Sequence, residues 1–344
     1  MRAVVVHGAG DLRIEERARP VPGPGEVLMA MEWGGICGSD IAYWRKGASG
    51  TAALAHPLVL GHEVAGRVAG LGEGVTGLGE GQPVTVHPAR VVGDGVLPSR
   101  IAGRTNLHPH VRYFGSAAFD PHTDGGFSEY RTVPVDQIRP LPDGVGTEQG
   151  ALAEPLAVAL HAVGRVPGLR GRTVLVNGCG PIGSLVVAAA RLHGADTVVA
   201  ADLASSSLKV ACAMGADETR DLSGGEGLPE DVDVVFEASG APAALGPVLR
   251  ATARGGTVVQ VGNLPGTAVA AALGDLVTRE ITWIGSYRFV EEIDEALCAL
   301  RDGLDVSPLI THRFPLARAE EALAVAADPS SGSSKVMLRL ASEA

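Results

Sequence analysis

The chain has 344 residues, which is longer than one hydrophobic core usually grows, so two domains are expected. Hydrophobic residues make up 46% and aromatic residues only 4%, with 47 glycines, a composition typical of globular α/β proteins and unlike that of disordered or fibrous chains. The formal net charge of −11, without any run of lysine and arginine, argues against nucleic acid and anionic membrane surfaces as partners.

The amino-terminal stretch MRAVVVHGAGDLRIEE alternates like a strand and lacks the charged and apolar regions of a signal peptide. No apolar run is long enough to span a bilayer. The four cysteines, Cys37, Cys179, Cys212 and Cys298, are widely separated and form no C-x-x-C pair, so no disulfide framework is expected. These features together predict a cytoplasmic protein.

Three segments of different character follow one another along the chain. Residues 1–150 consist of short alternating stretches broken by glycine and proline, which predicts an irregular β-rich domain. In residues 151–289, valine-rich strands alternate with helical segments, which predicts an α/β domain with a doubly wound parallel sheet. Residues 290–344 contain two predicted helices and a final strand, and are expected to return to the first domain.

A glycine-rich motif between a predicted strand and a predicted helix indicates a dinucleotide site. Gly178, Gly180 and Gly183 form G-x-G-x-x-G in VLVNGCGPIGSLVVAAA, which suits a tight turn, close approach to a pyrophosphate and close helix–strand packing. Asp202 ends the next strand, TVVAAD, where its carboxylate can bind both ribose hydroxyls and repel a 2′-phosphate. Since no arginine follows in DLASSSLK, NAD is favoured over NADP. The other predicted cofactor contacts are Pro181, Ile182, Val261 and Gly262.

Four residues of the first half are candidate metal ligands. Cys37 lies in GGICGSD, His62 and Glu63 lie in LVLGHEVAGRV, and Glu154 lies in ALAEPLAVALHAV. Thiolate, imidazole and carboxylate all bind zinc, and three protein ligands with one open position make a catalytic site. The spacing alone is not specific, and a buried structural role for Cys37 stays open, because free cysteines are usually buried.

These motifs together resemble a known family. GGICGSD, GHEVAGRV, AEPLAVALHAV and VLVNGCGPIG occur in the order found in the zinc-dependent medium-chain alcohol dehydrogenases, and they cover nearly the whole chain. The resemblance implies a GroES-like first domain and a Rossmann second domain. Glu154 stands where classical alcohol dehydrogenases carry cysteine, which is similar to the polyol branch typified by sorbitol dehydrogenase. Residues 112–130 and 285–297 resemble most the L-idonate 5-dehydrogenases of that branch.

The resemblance implies a catalytic zinc held by Cys37, His62 and either Glu63 or Glu154, and both glutamates are kept. The implied reaction transfers hydride between NAD and a secondary alcohol of a small polyhydroxy substrate, L-idonate or a similar aldonate. Sorbitol or another neutral polyol is the alternative substrate. A zinc-free quinone or enoyl reductase and a non-catalytic NAD-binding protein are further alternatives, and Cys37 and His62 count against the reductase. A homo-oligomer, dimer or tetramer, is also expected.

Further site residues follow from the same resemblance. Ser39 matches the first hydroxyl of the family's proton relay, although a simple turn residue is the alternative. Tyr43 and Trp44 are expected to line the substrate pocket, with Tyr43 able to hydrogen-bond a polyhydroxy substrate, and the buried face of an amphipathic helix is the alternative. Arg288 is expected to bind a carboxylate or vicinal hydroxyls, with a solvated surface arginine as the alternative. Phe289 after it, where sorbitol dehydrogenases carry tyrosine, favours an aldonate. His161 is interpreted as a core histidine with a hydrogen-bonding partner.

The segment of residues 89–115 lacks the four cysteines that hold a structural zinc in many relatives. His108 and His110 are therefore interpreted as ordinary loop histidines, since a closed structural site needs four N or S ligands. Packing of this segment is expected through its apolar residues Val91, Val92, Leu97 and Ile101, or through a neighbouring subunit. One zinc per chain is predicted.

Overall fold

The computed structural model describes residues 1–341, which form two compact units. The first unit contains residues 1–154, 296–303 and the chain from 310 onward, and the second contains residues 155–295 and 304–309. Residues 342–344, which end the segment predicted to return to the first domain, lie outside the described residues. No helix in the described part of the chain is both long and apolar enough to cross a membrane.

The strands follow one another in chain order as β1 (Arg2–Gly8), β2 (Asp11–Glu16), β3 (Glu26–Gly35), β4 (Ala48–Ser49), β5 (Ala52–Ala53), β6 (Leu58–Val59), β7 (Glu63–Leu71), β8 (Pro83–Val86), β9 (Ala89–Val91), β10 (Val111–Tyr113), β11 (Tyr130–Pro134), β12 (Ile138–Pro140), β13 (Thr173–Asn177), β14 (Thr197–Asp202), β15 (Glu218–Asp221), β16 (Val232–Glu237), β17 (Thr252–Gln260), β18 (Thr282–Gly285), β19 (Ile310–Pro315) and β20 (Lys335–Arg339). The α-helices are α1 (Gly38–Lys46), α2 (Thr147–Gly150), α3 (Ala153–Gly164), α4 (Pro181–Leu192), α5 (Ser205–Ala213), α6 (Leu245–Ala251), α7 (Gly274–Thr278), α8 (Glu292–Arg301) and α9 (Ala319–Ala327).

The main sheet of the first unit is built around the long strand β3. Its strand order is β12-β8-β7-β3-β20-β19, and β11 also pairs with β3. Val27, Met29 and Met31 of β3 are buried in the core of this unit, because alternate residues of a strand point to one face. Strand β3 ends at Gly35, directly before the start of α1, so the sheet fixes the position of the loop that carries Cys37.

The second unit contains a six-stranded sheet in the order β15-β14-β13-β16-β17-β18, and every strand pair in it is parallel. The central strand β13 is buried at Val174, Leu175 and Val176, as expected of a parallel strand covered on both faces. Its two neighbours in the sheet are β14 and β16, so the strand order reverses beside β13. Ligands of such sheets bind at this reversal, outside the carboxyl ends of the strands.

The last strand of the described chain belongs to the sheet of the first unit. Strand β20 pairs antiparallel with β3, with Met337 opposite Gly35, and it also pairs parallel with β19. Lys335, the first residue of β20, is thereby brought close to the residues that follow β3. A lysine almost 300 positions away in the sequence becomes part of the candidate site, since its Nζ donates to the carbonyl of Ile36.

Candidate metal centre and cofactor site

Cys37 is the N-cap residue of α1, where it follows β3 in an extended conformation. The buried carboxylate of Asp40 ties this turn to a second loop. Its Oδ2 accepts from the backbone N–H of Cys37 at 2.9 Å, and its Oδ1 accepts from Gly61 N–H at 3.1 Å. Burial raises the pKa of Asp40. This role of Asp40 was not predicted, although an aspartate in the first turn of a helix is a recognisable capping signal.

His62 and Glu63 enter the site through a turn that requires glycine. Gly61 has φ +95°, and a Cβ there would lie 2.1 Å from the ring of the buried Phe127. Glu63 is the first residue of β7. The donor atoms of Cys37, His62 and Glu63 lie within 4.8 Å of one another. The structure therefore brings together three of the four predicted ligands as one candidate metal site.

The electrostatic surroundings of His62 suit a cation. Burial opposes the protonated imidazole, but the Cys37 thiolate, its hydrogen bond to His62, and the charges of Asp40 and Glu154 favour it, so the pKa of His62 is raised well above its ordinary value. The same negative charge favours a metal ion in place of that proton. One thiolate, one imidazole and a carboxylate are a donor set that fits catalytic zinc.

Glu63 forms a buried ion pair with Lys335. Both carboxylate oxygens lie 2.7 Å from Nζ, and the two side chains are 1% and 2% exposed. A Cβ at Gly35 would lie 2.2 Å from Glu63 Oε2, so only glycine leaves room for the carboxylate here. Burial opposes the charge of Lys335, but Glu63 and Cys37 outweigh it and raise the pKa of the lysine. Lys335 was not predicted, because nothing in KVMLRL shows which residue it meets.

Glu154, the second residue of α3, is held by a different kind of partner. Tyr113 at the end of β10 donates its hydroxyl to Glu154 Oε1 at 2.5 Å, and the tyrosine ring packs edge-on against His62 with centroids 5.7 Å apart. Burial raises the pKa of Glu154, His62 opposes this shift, and Glu63 adds to it. Tyr113 was also missed by the sequence analysis, and no local signal marks it.

The predicted relay and pocket residues of the first unit lie on α1. Ser39 is half-buried in the first turn of the helix, two residues after Cys37. Tyr43 is buried, and its hydroxyl oxygen accepts from the backbone N–H of Ala117 at 3.0 Å. The indole N–H of Trp44 is buried and has no hydrogen-bond partner in the described chain. The structure thus gives Tyr43 a backbone partner, and its predicted role toward substrate stays a prediction.

Arg288 and His161 belong to the second unit. Arg288 has a positive φ of 51°, which is unusual for a residue with a side chain, and its guanidinium lies over the ring of Tyr287 at 5.0 Å. His161 is buried, and its Nδ1 lies 2.6 Å from Glu292 Oε1. The hydrogen bond to His161 lowers the pKa of Glu292, although burial opposes that shift.

The three motif glycines meet three different surroundings. Gly178 has φ +90°, and a Cβ there would lie 2.4 Å from the backbone nitrogen of Ser239. A Cβ at Gly183 would lie 1.8 Å from the carbonyl oxygen of Gly178, so this glycine allows α4 to pack on β13. Gly180 is the N-cap residue of α4 and faces open space, with nothing within 4 Å of a Cβ. The open space at a helix N-terminus can accommodate a pyrophosphate.

Asp202 lies at the end of β14 and contacts the glycine-rich turn. Its Oδ2 accepts from Cys179 N–H at 2.6 Å, and its Oδ1 accepts from Ala204 N–H at 2.8 Å. Burial, together with the charge of Asp202, raises the pKa of the Cys179 thiol to about 12, so this cysteine stays protonated and inert. Pro181 and Ile182 form the first turn of α4, and Val261 and Gly262 follow β17.

The cysteine-free segment 89–115 packs differently from the prediction. Val92 is 43% exposed, and Val91, Leu97 and Ile101 are only partly buried, so none of these four residues is fully buried, and ordering of the segment by a neighbouring subunit stays a prediction. The buried residues are instead close to the strand β10 and the turn before it, namely Asn106, His108, Val111, Tyr113 and Phe114. Among them, Tyr113 contacts the metal site through Glu154 and His62.

Comparisons with known proteins agree with this architecture. The families described as Alcohol dehydrogenase GroES-like domain and Zinc-binding dehydrogenase match residues 23–143 and 181–301. Sorbitol dehydrogenase of Gallus gallus is 37% identical over 338 residues, which cover 93% of this chain and 91% of that protein. The crystal structure of L-idonate 5-dehydrogenase from Escherichia coli has a TM-score of 0.90 at 35% identity, covering 98% of this chain and 97% of that one. A protein from Sinorhizobium meliloti described as a zinc-binding dehydrogenase, bound to NADP, has a TM-score of 0.88 at 32% identity over 98% of each chain. The predicted GroES-like and Rossmann domains are confirmed.

Proposed function

Because the chain belongs to the zinc-dependent medium-chain alcohol and polyol dehydrogenases, we propose that it reversibly oxidises a secondary alcohol of a small polyhydroxy substrate with NAD. The observation that best supports this proposal is the convergence of Cys37, His62 and Glu63, whose donor atoms lie within 4.8 Å of one another. A zinc-free reductase on the same fold would have no use for a thiol, an imidazole and a carboxylate brought together at one point.

Cys37 and His62 would hold the zinc together with a carboxylate from Glu63 or Glu154. Zinc, when bound, would supply Lewis-acid stabilisation of the negative charge that develops on the substrate oxygen. Asp40 holds the Cys37 turn and the Gly61 turn in fixed positions through two backbone N–H groups, so the thiolate and imidazole are preorganised. Lys335 balances the charge of Glu63, which limits the excess of negative charge in the buried site.

The remaining first-unit residues would handle the substrate and its proton. We assign the first step of proton release to the Ser39 hydroxyl, which is half-buried beside Cys37. A hydroxyl can accept a proton through one lone pair while it donates its own to the next acceptor. Tyr43 Oη accepts a backbone hydrogen bond, so its own O–H is available to donate to a substrate hydroxyl.

The second unit would bind the cofactor, whose nicotinamide accepts the hydride. The N-terminus of α4 at Gly180 favours the negative pyrophosphate, and the open space there leaves room for it. Asp202 is already oriented by the N–H groups of Cys179 and Ala204, and it keeps lone pairs for ribose hydroxyls. Its negative charge supports NAD as the cofactor over NADP.

An aldonate is the substrate class that we favour, with L-idonate as the first compound to test. The support is Arg288, a guanidinium able to bind a carboxylate bidentately, and the likeness to L-idonate 5-dehydrogenase at a TM-score of 0.90. Sorbitol or another neutral polyol is the second candidate, supported by the 37% identity to sorbitol dehydrogenase.

The test combines metal analysis with a substrate panel. Protein purified without a histidine tag is assayed for zinc by mass spectrometry and for NAD reduction with L-idonate, other aldonates and sorbitol. Cys37→Ala and His62→Ala should each lower kcat/KM by more than about 100-fold, because they remove ligands rather than their supporting partners. Cys212→Ala, at an exposed cysteine, is the matched control and should be unchanged. Full activity of a zinc-free sample contradicts the proposal.

A further inference from the structure

Tyr113 contacts two of the candidate zinc ligands at once. Its hydroxyl donates to Glu154 Oε1 at 2.5 Å, and its ring lies edge-on to His62 at an interplanar angle of 64°. Tyr113 is 6% exposed and Glu154 is 5% exposed, so the hydrogen bond is shielded from water. Tyr113 comes from the segment 89–115, which has no cysteine to bind a second zinc. This segment therefore contributes a side chain to the candidate metal centre itself.

The two glutamates of the site are held in chemically different ways. Glu63 faces an ammonium group, since Lys335 Nζ is 2.7 Å from both of its oxygens. Glu154 accepts from a neutral hydroxyl through one oxygen, and the cationic groups Lys335 and His62 act on its charge without a direct ion pair. In the described chain no other hydrogen bond to Glu154 is seen. Glu63 is thus held by a direct ion pair, whereas the only direct partner of Glu154 in the described chain is the Tyr113 hydroxyl.

From this asymmetry we infer that Tyr113 is a positioning residue for the metal centre, which fixes the orientation of the Glu154 carboxylate near His62. The inference rests on the proposed function, because it needs a zinc held by Cys37 and His62. Partners that orient a ligand in this way contribute to metal affinity as well as to activity, since they limit the conformations of the ligand. The hydroxyl also supplies one of the hydrogen bonds that a buried carboxylate requires.

The direct test is Tyr113→Phe, which removes the hydroxyl and keeps the ring against His62. Zinc release to an excess of a chromophoric chelator should become about 10- to 100-fold faster, the usual effect of losing such a partner. The visible spectrum of the cobalt-substituted protein should change, because its absorption reports the geometry of the ligands. Tyr130→Phe is the control, since its ring packs under Arg19 away from these ligands. It should release zinc at the wild-type rate.

A second variant separates orientation of Glu154 from general packing. In a Glu154→Gln background the carboxylate is gone, so adding Tyr113→Phe should change the zinc release rate by less than about 2-fold. A full, additive effect in that background would mean that Tyr113 acts through His62 or the fold, and it would overturn the inference. So would an unchanged release rate and cobalt spectrum in Tyr113→Phe alone. A wild-type protein that binds no zinc would overturn the proposed function as well.

Discussion

At the scale of single residues, Asp202 combines a structural and a selective role. Its two oxygens hold the N–H groups of Cys179 and Ala204, so the carboxylate lies in a fixed position at the end of β14. A 2′-phosphate brought to that position would meet a like charge, which costs several kcal/mol in a desolvated site. The selectivity for NAD that we propose is therefore attributed to repulsion rather than to any contact special to NAD.

Asp202→Asn should relax this selectivity with little loss of structure. Asparagine keeps one acceptor oxygen for a backbone N–H but loses the charge, so kcat/KM with NADP relative to NAD should rise by about 10- to 100-fold. Steady-state kinetics with both cofactors measures this ratio. Asp196→Asn, just before the opposite end of β14, is the control and should leave the ratio unchanged. Equal use of NAD and NADP by the wild type would refute the assigned role of Asp202.

The site residues that could be predicted from the sequence lie in local motifs, whereas those that could not depend on contacts distant in the sequence. Cys37, His62 and Asp202 stand in local motifs, where a turn or a strand end dictates their position within a few residues. Lys335 and Tyr113 act through contacts at 272 and 41 residues separation. Their partners depend on strand register between β3, β7 and β20 and on the path of β10, which a single sequence does not specify.

At the scale of secondary-structure elements, the turn between β13 and α4 separates packing from ligand binding. Gly183 lies under the carbonyl oxygen of Gly178, where any Cβ would collide at 1.8 Å. Gly180 is the N-cap residue directly before α4, with open space around it and an ordinary negative φ. Gly183 is therefore required for packing of the protein itself, whereas Gly180 is required only when a cofactor approaches the backbone.

Substitution of these two glycines by alanine should therefore give different results. Gly183→Ala should destabilise the protein by about 1–3 kcal/mol, the usual cost of overpacking, and lower its melting temperature without any ligand. Gly180→Ala should melt like the wild type but bind NADH more weakly. Calorimetry and NADH fluorescence titration measure the two effects. If Gly180→Ala bound NADH normally, the pyrophosphate would not lie at this helix end.

The regular strands and helices could be predicted from the sequence more readily than the irregular segments, because a local pattern of residues specifies them. The valine-rich strands of the second unit follow from composition and periodicity, because a parallel strand buried on both faces admits few polar residues. Segment 89–115 has no such pattern. Its buried residues include Asn106 and His108, which are polar, whereas its most apolar stretch near Val92 stays exposed. Side-chain hydrophobicity alone therefore does not identify the residues of this segment that are buried.

At the scale of the whole molecule, the two units carry separate parts of the chemistry. All candidate metal ligands, with Asp40, Tyr113 and Lys335, belong to the first unit, and the glycine motif with Asp202 belongs to the second. The metal site gathers the carboxylates of Asp40, Glu63 and Glu154 beside Cys37, and Lys335 forms an ion pair with Glu63. A divalent cation should therefore stabilise the first unit, because it offsets repulsion among these buried groups.

Removal of the metal should thus abolish activity, lower the stability of the protein and leave cofactor binding nearly intact. Dialysis against a chelator, followed by addition of zinc to about 100 times its dissociation constant, should restore about 2.7 kcal/mol of unfolding free energy together with activity. NADH affinity, measured by fluorescence, should differ less than about 2-fold between the two samples, since no ligand of the metal belongs to the second unit.

Titration of the metal-free protein with zinc should saturate at one zinc per chain, because the segment 89–115 offers no thiolate for a second closed site. Saturation near two would show that His108, His110 or other residues of that segment bind metal, and a chelated protein that no longer binds NADH would show that the cofactor site depends on the metal.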